Sequence, residues 1–204
     1  MSTEQFEEFE QFELEAHRSS VGTIIRQVWQ IIRNIAETVI PAMALVMLIH
    51  LFLMQGTLVS GNSMEPNLHT NQRLIVEKLS YNSYLQQIFR WHVPEQGDIV
   101  VLNVPTQGTD PLIKRVVAVP GDLVHIHNGQ VFVNGWALPE PYLHTLSTPG
   151  QFGPQTVPAG HIFVLGDNRI ASNDSRNFGF VPLDDVVGRA WLSYWPLTKV
   201  GFVH

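Results

Sequence analysis

The chain has 204 residues, of which 45% are hydrophobic and 15% charged, with a formal net charge of −6 and no cysteine. The length allows one sizeable domain plus an extra segment, and the low charged share fits a globular domain with an apolar anchor. The acidic balance argues against a nucleic-acid partner, and the lack of cysteine excludes disulfides, a thiolate nucleophile and a Cys-based zinc site.

Residues 1–20 open with six glutamates and no lysine or arginine before Arg18. That composition predicts a solvated, mobile tail, although Phe6, Phe9 and Phe12 recur at a weakly helical spacing. Residues 21–36 carry Ile24, Ile25, Val28, Ile31, Ile32 and Ile35 at helical spacing, interrupted by Arg26 and Arg33, and predict an amphipathic juxtamembrane helix. From Thr38 to Met54 there is no formally charged residue. With a few neighbours this stretch reaches roughly 20 residues, the length that crosses a bilayer, and it predicts a transmembrane anchor over 37–56. A buried core helix is the alternative; a cleaved leader is disfavoured by the late start and the absence of a small-residue cleavage pattern. Arg18, Arg26 and Arg33 precede the span, and Arg73 is the first basic residue after it. This bias predicts a cytoplasmic N-terminus and an outside domain over 57–204.

That domain reads as mainly β. GDIVVLNV (97–104), LIKRVVAV (112–119), HIFVLG (161–166) and GRAWLSYW (188–195) are short runs rich in β-branched residues. DLVHIHNGQVFVNG (122–135) predicts a hairpin turning at Asn128-Gly129. A helix is expected within residues 71–89, with a strand as the alternative for RLIVEKL. Residues 139–160 lack a period and predict a long surface loop.

GNSMEPNL (61–68) places Ser63 just beyond the apolar span. On spacing alone it is either turn punctuation or a nucleophile. It matches neither G-x-S-x-G nor S-x-x-K. His125-x-His127 lies beside the hairpin turn with no third ligand nearby, so no metal site is expected. Lys114 is unusual among the lysines because strand alternation groups it with Leu112, Val116 and Ala118. If that face is buried, desolvation lowers the lysine pKa and suits it to act as a general base. An edge-strand lysine whose ammonium reaches solvent is the other reading.

Four segments in order, SGNSMEPNL (60–68), QGDIVVL (96–102), LIKRVVAVPGD (112–122) and GDNRIASNDSRNFGFVP (166–182), followed by VVGRAW (186–191), resemble the type I signal peptidases, which are membrane-anchored Ser–Lys serine proteases. The resemblance covers most of the chain after residue 57. It implies a coiled antiparallel β-sheet catalytic domain preceded by one N-terminal transmembrane helix. It also implies that Ser63 is the nucleophile, Lys114 the general base, and Ser172 the residue orienting the lysine. Arg115, Asp167, Asp174 and Arg176 match the family's charged site framework. No cofactor is implied. Gly61 stands where one branch of the family has a helper serine for the oxyanion, which leaves the Ser63 N–H as the identified donor. Asn67 replaces the family's usual threonine. Val59, Leu68 and Ile113 resemble positions lining shallow pockets for small residues at −1 and −3, with simple core packing as the alternative. The implied partners are signal peptides of exported pre-proteins, the lipid bilayer and the protein export machinery. The rival readings are another Ser–Lys hydrolase and a tethered β-domain that binds peptides without cutting them.

Overall fold

A computed structural model describes residues 3–48, 54–78, 94–105, 108, 110–144 and 147–203, and the chain divides into two compact units, residues 1–49 and 50–204. The first unit is a single helix, α1 (Thr3–Leu48). It runs through the acidic segment expected to be a mobile tail, through the amphipathic stretch and through Pro41. Within it, Arg26–Leu48 is long and apolar enough to cross a membrane. The helix ends at Leu48 and a strand has begun by Met54, so the expected anchor boundary at residue 56 falls inside a strand.

The second unit is built on β1 (Met54–Leu58), β2 (Arg73–Glu77), β3 (Ile99–Leu102), β4 (Leu112–Ala118), β5 (Leu123–His127), β6 (Gln130–Val133), β7 (Trp136–Ala137), β8 (Phe152–Thr156) and β9 (His161–Leu165). A one-turn helix, α2 (Ser175–Phe178), precedes β10 (Val181–Pro182), β11 (Val186–Trp195) and β12 (Gly201–Phe202). The larger sheet has the order β1-β2-β11-β3-β4-β9-β10, with β12 added to β11, and all its pairings are antiparallel. Register shifts along β11 and in β4 mark bulges, which increase local twist and coil the sheet. The smaller sheet has the order β7-β6-β5-β8.

The hairpin at Asn128-Gly129 forms as the alternation predicts: both residues have positive φ, and β5 pairs with β6. RLIVE is a strand rather than a helix, because it pairs between β1 and β11 and buries Leu74 and Val76 fully at period two. The remainder of the expected helix, from residue 79, lies outside the described residues. Residues 139–160 are not simply a surface loop. Phe152–Thr156 pairs with β5, while Leu143, Thr148 and Val157 are buried. Their inward-facing side chains are separated by Pro and Gly, which conceals the pattern in the sequence.

Three apolar clusters hold the unit together. One joins Val59, Met64 and Leu68 to Leu74, Ile99 and Ile113. A second lies around Val100, Leu102, Val116 and Val164. A third, around Val117, Phe163 and Leu165, packs the small sheet onto the large one. Alternation places Lys114 with Leu112 and Val116, but the bulge after Val116 breaks the expected sequence, and Ala118 joins Val117 in the third cluster.

Candidate active site

The turn carrying Ser63 connects β1 to β2. Hydrogen bonds from Val59 N to Gln72 O (2.8 Å) and from Asn71 N to Val59 O (3.0 Å) close its base. Met64 and Leu68, almost fully buried, anchor it in the first apolar cluster. Gly61 sits at φ +80°, a left-handed conformation that glycine adopts without strain. A Cβ there would meet nothing within 4 Å, so backbone conformation rather than space favours glycine. Thr70 Oγ1 donates to the Gly61 carbonyl at 2.9 Å.

Lys114 comes to this turn from β4, where it is 3% exposed. Its ammonium nitrogen donates to Ser63 Oγ at 2.9 Å and to the Ile113 carbonyl at 3.1 Å. Desolvation by burial pulls the lysine pKa from 10.5 down to about 8, against the opposing pull of Asp174 and Asp167. An amine so placed, once neutral, can accept the hydroxyl proton. The Ser63 N–H donates to no group among the described residues.

The charged residues singled out from the sequence form two buried pairs around this centre. Arg115 donates from Nε and Nη2 to the two carboxylate oxygens of Asp167, at 2.8 and 2.7 Å, and from Nη1 to the Gly97 carbonyl. Arg176 grips Asp174 in the same two-pronged way, both bonds being 2.8 Å. Burial alone would raise the Asp174 pKa, but hydrogen bonds from Arg176 and the Gly166 N–H, with the Arg176 charge, hold it below the usual carboxylate range. Asp174 also caps α2 by accepting from Arg176 N. Ser172 Oγ is buried and meets no partner at full hydrogen-bond geometry among the described residues, although it stands close enough to Asp174 to help hold that carboxyl low; the bonds of Lys114 go to Ser63 and Ile113. Gly166 is in close contact with both neighbours: a Cβ there would lie 2.2 Å from Ser172 Oγ and 2.6 Å from the Ser63 carbonyl oxygen.

Val59, Leu68 and Ile113 come together in one cluster and are all buried in this structure. His125 stacks on Phe132 with ring centroids 4.6 Å apart.

Reading the sequence alone missed a strap formed by residues 139–144 and 147–148. Arg169, itself 3% exposed, binds the Glu140 carboxylate through both terminal nitrogens, and bonds Thr148 Oγ1 and the Gly166 carbonyl. Tyr142 donates its hydroxyl to Glu140 at 3.0 Å, and its ring lies under the Arg115 guanidinium, 4.1 Å from the centroid. Burial, and then the Glu140 charge, push the Tyr142 pKa upward. Asn67 ties the strap to the serine turn: its Nδ2 donates to the Tyr142 carbonyl at 2.9 Å and to Asp167 Oδ2 at 2.8 Å. An amide supplies two donors where a threonine hydroxyl has one, so Asn67 bridges both. The signal for this strap was a Glu and a Tyr within a Pro/Gly-rich stretch, which has no periodicity to reveal it.

Residues 32–195 match the family model described as signal peptidase, peptidase S26. The chain is 39% identical over 177 residues to a probable signal peptidase I-2 of Synechocystis sp., spanning 83% of this chain and 76% of that protein. It is 37% identical over 179 residues to signal peptidase I of Leptolyngbya laminosa (83% and 81% covered). With signal peptidase I of Bacillus amyloliquefaciens it shares 38% identity over 170 residues (78% and 83% covered). The match spans α1 from residue 32 and nearly all of the coiled sheet, so the chain belongs to the signal peptidase family, peptidase S26, and is a serine-type peptidase.

Proposed function

We propose that this protein is a membrane-bound endopeptidase that removes N-terminal signal peptides from exported precursors through a Ser63–Lys114 dyad, cleaving after small residues at −1 and −3. The observation that carries this reading is a buried lysine amine 2.9 Å from a serine hydroxyl. Neutral Lys114 takes the proton from Ser63 Oγ, and the oxygen attacks the scissile carbonyl. The Ser63 N–H faces the developing oxyanion. The C–N bond breaks, and the Lys114 ammonium returns the proton to the leaving amine. Lys114 then deprotonates a water that cleaves the acyl ester and regenerates Ser63.

Asp167, Asp174, Arg115 and Arg176 hold the geometry, and Ser172, whose hydroxyl is buried beside Gly166, orients the lysine. Val59, Leu68 and Ile113 form the apolar floor that excludes large side chains at −1 and −3. The substrate binds extended along β1, which is an edge strand of the large sheet among the described residues. Helix α1 anchors the protein with its N-terminus cytoplasmic. The catalytic domain is outside, where precursors arrive from the export machinery, and no nucleic acid is involved. A protease is expected to remove an N-terminal tag only in inverted vesicles.

The dyad is tested with the full chain in detergent and a pre-protein. Ser63→Ala and Lys114→Ala are each expected to abolish cleavage, a loss of roughly 10⁴-fold or more. Cleavage by both variants at the parent rate would show that the assignment is wrong.

A further inference from the structure

Beyond Ser63 the chain turns through Glu65 and Pro66, and these two residues line a cleft of about 310 Å³. Asn168, Ile170, His144 and Ser147 belong to the same lining. The cleft is fastened to the serine turn. The Asn168 N–H donates to the Ser63 carbonyl at 2.9 Å, and its side-chain amide donates to the Asn62 carbonyl at 3.2 Å. A peptide whose acyl half lies along β1, with its scissile bond at Ser63, sends its leaving half past this turn. Ile170, 78% exposed, offers that half an apolar contact.

The charges around the cleft are unequal. Asp167 is neutralised by Arg115, and Arg169 by Glu140, both in buried pairs. Glu65 is different. Its side chain is 42% exposed, and its cationic neighbour is His69 Nδ1 at 3.6 Å, a partner only when protonated. With His144 the only other titratable group on the lining outside those pairs among the described residues, the cleft presents a carboxylate to whatever enters it.

We propose that this cleft is the subsite for the first residues of the mature segment, and that Glu65 selects there for a basic over an acidic side chain. The proposal rests on the peptidase reading above, and deepens it by assigning a discriminating role to the leaving side of the bond. A partly exposed ion pair contributes modestly, so the preference is expected to be roughly twofold to fivefold in kcat/KM.

The test uses the full chain in detergent and one precursor, with alanine at −1 and −3, made in two forms with Lys or Glu as the second mature residue. Comparing the two forms on a single enzyme preparation cancels differences in active fraction. The parent is expected to favour the Lys form, Glu65→Gln to bring the ratio close to one, and Glu65→Lys to invert it. The penalty for a larger residue at −1 is expected to be the same in all three enzymes. A parent ratio of one, or a ratio that Glu65→Gln leaves unchanged, overturns the subsite while the dyad stands. A parent that cleaves neither form, nor any precursor, overturns both.

Discussion

Lys114 Nζ stands 2.9 Å from Ser63 Oγ, although 51 positions separate the two residues in the chain. The proton can cross that gap only when the lysine is neutral. Burial brings its pKa to about 8, with Asp174 and Asp167 resisting the fall. The kcat/KM for a precursor is therefore expected to rise about tenfold per pH unit below pH 8 and to level off above it. A rise centred near 10.5, the value of an unperturbed lysine, would show that burial does not depress the Lys114 pKa in the working enzyme.

The same shift has a consequence for stability. The folded pKa lies below the unfolded one, so between about 8 and 10.5 the unfolded chain holds a proton that the folded chain has released. Stability then rises with pH across that window, and the penalty is present in full below it. The gap corresponds to about 3 kcal/mol. Lys114→Met is expected to be inactive yet more stable at pH 7 by up to that amount, with the difference vanishing above pH 10.5. Urea titrations of parent and variant at the two pH values check this.

Gly166 packs directly behind the serine. Its missing side chain leaves room for Ser172 and for the Ser63 carbonyl, which a Cβ would approach to 2.6 Å. A serine side chain can rotate away, but the backbone of the turn cannot move without carrying Ser63 with it. Gly166→Ala is expected to lower kcat by about 100-fold or more, as a misplacement of about 1 Å does. Adding Ser172→Ala should not restore the rate, because the clash with the Ser63 carbonyl remains. Single-turnover cleavage by both variants reads this out.

Glu140 neutralises a buried arginine. Glu140→Ala leaves Arg169 charged and unpaired, which is expected to cost about 3–5 kcal/mol. The double variant Glu140→Leu, Arg169→Met removes both charges and should recover much of that loss. A double-mutant cycle by urea denaturation measures the coupling. Activity should recover less than stability, because the strap also holds Asn67 through Tyr142 and so steadies the serine turn.

The strands with regular alternation were legible in the sequence. Val124, Ile126, Val131 and Val133 announced their hairpin, and LIKRVVAV announced a strand with a lysine on an apolar face. Ser63, Lys114 and their charged neighbours stood out only through the ordered set of motifs that resembles a known family; spacing alone left Ser63 as a turn or a nucleophile and Lys114 as buried or at an edge. RLIVE was ambiguous because a short apolar run satisfies both periods, and its neighbours β1 and β11 decided the outcome. The strap was illegible because Glu140, Tyr142 and Thr148 obey no period; each is placed by a partner distant in the chain.

The amino-acid sequence by itself determined the apolar span and the β-rich domain, since these follow from composition and local patterning, and its motifs supplied the residue types that suit the proposed chemistry. Only the tertiary structure decided that Lys114 is desolvated rather than exposed at an edge. It also decided that Asn67 bridges the serine turn to the Arg115–Asp167 pair, and that an open carboxylate lines the cleft beyond Ser63. These depend on burial and on distances between segments far apart in the chain, and neither quantity exists until the sheet has coiled around them.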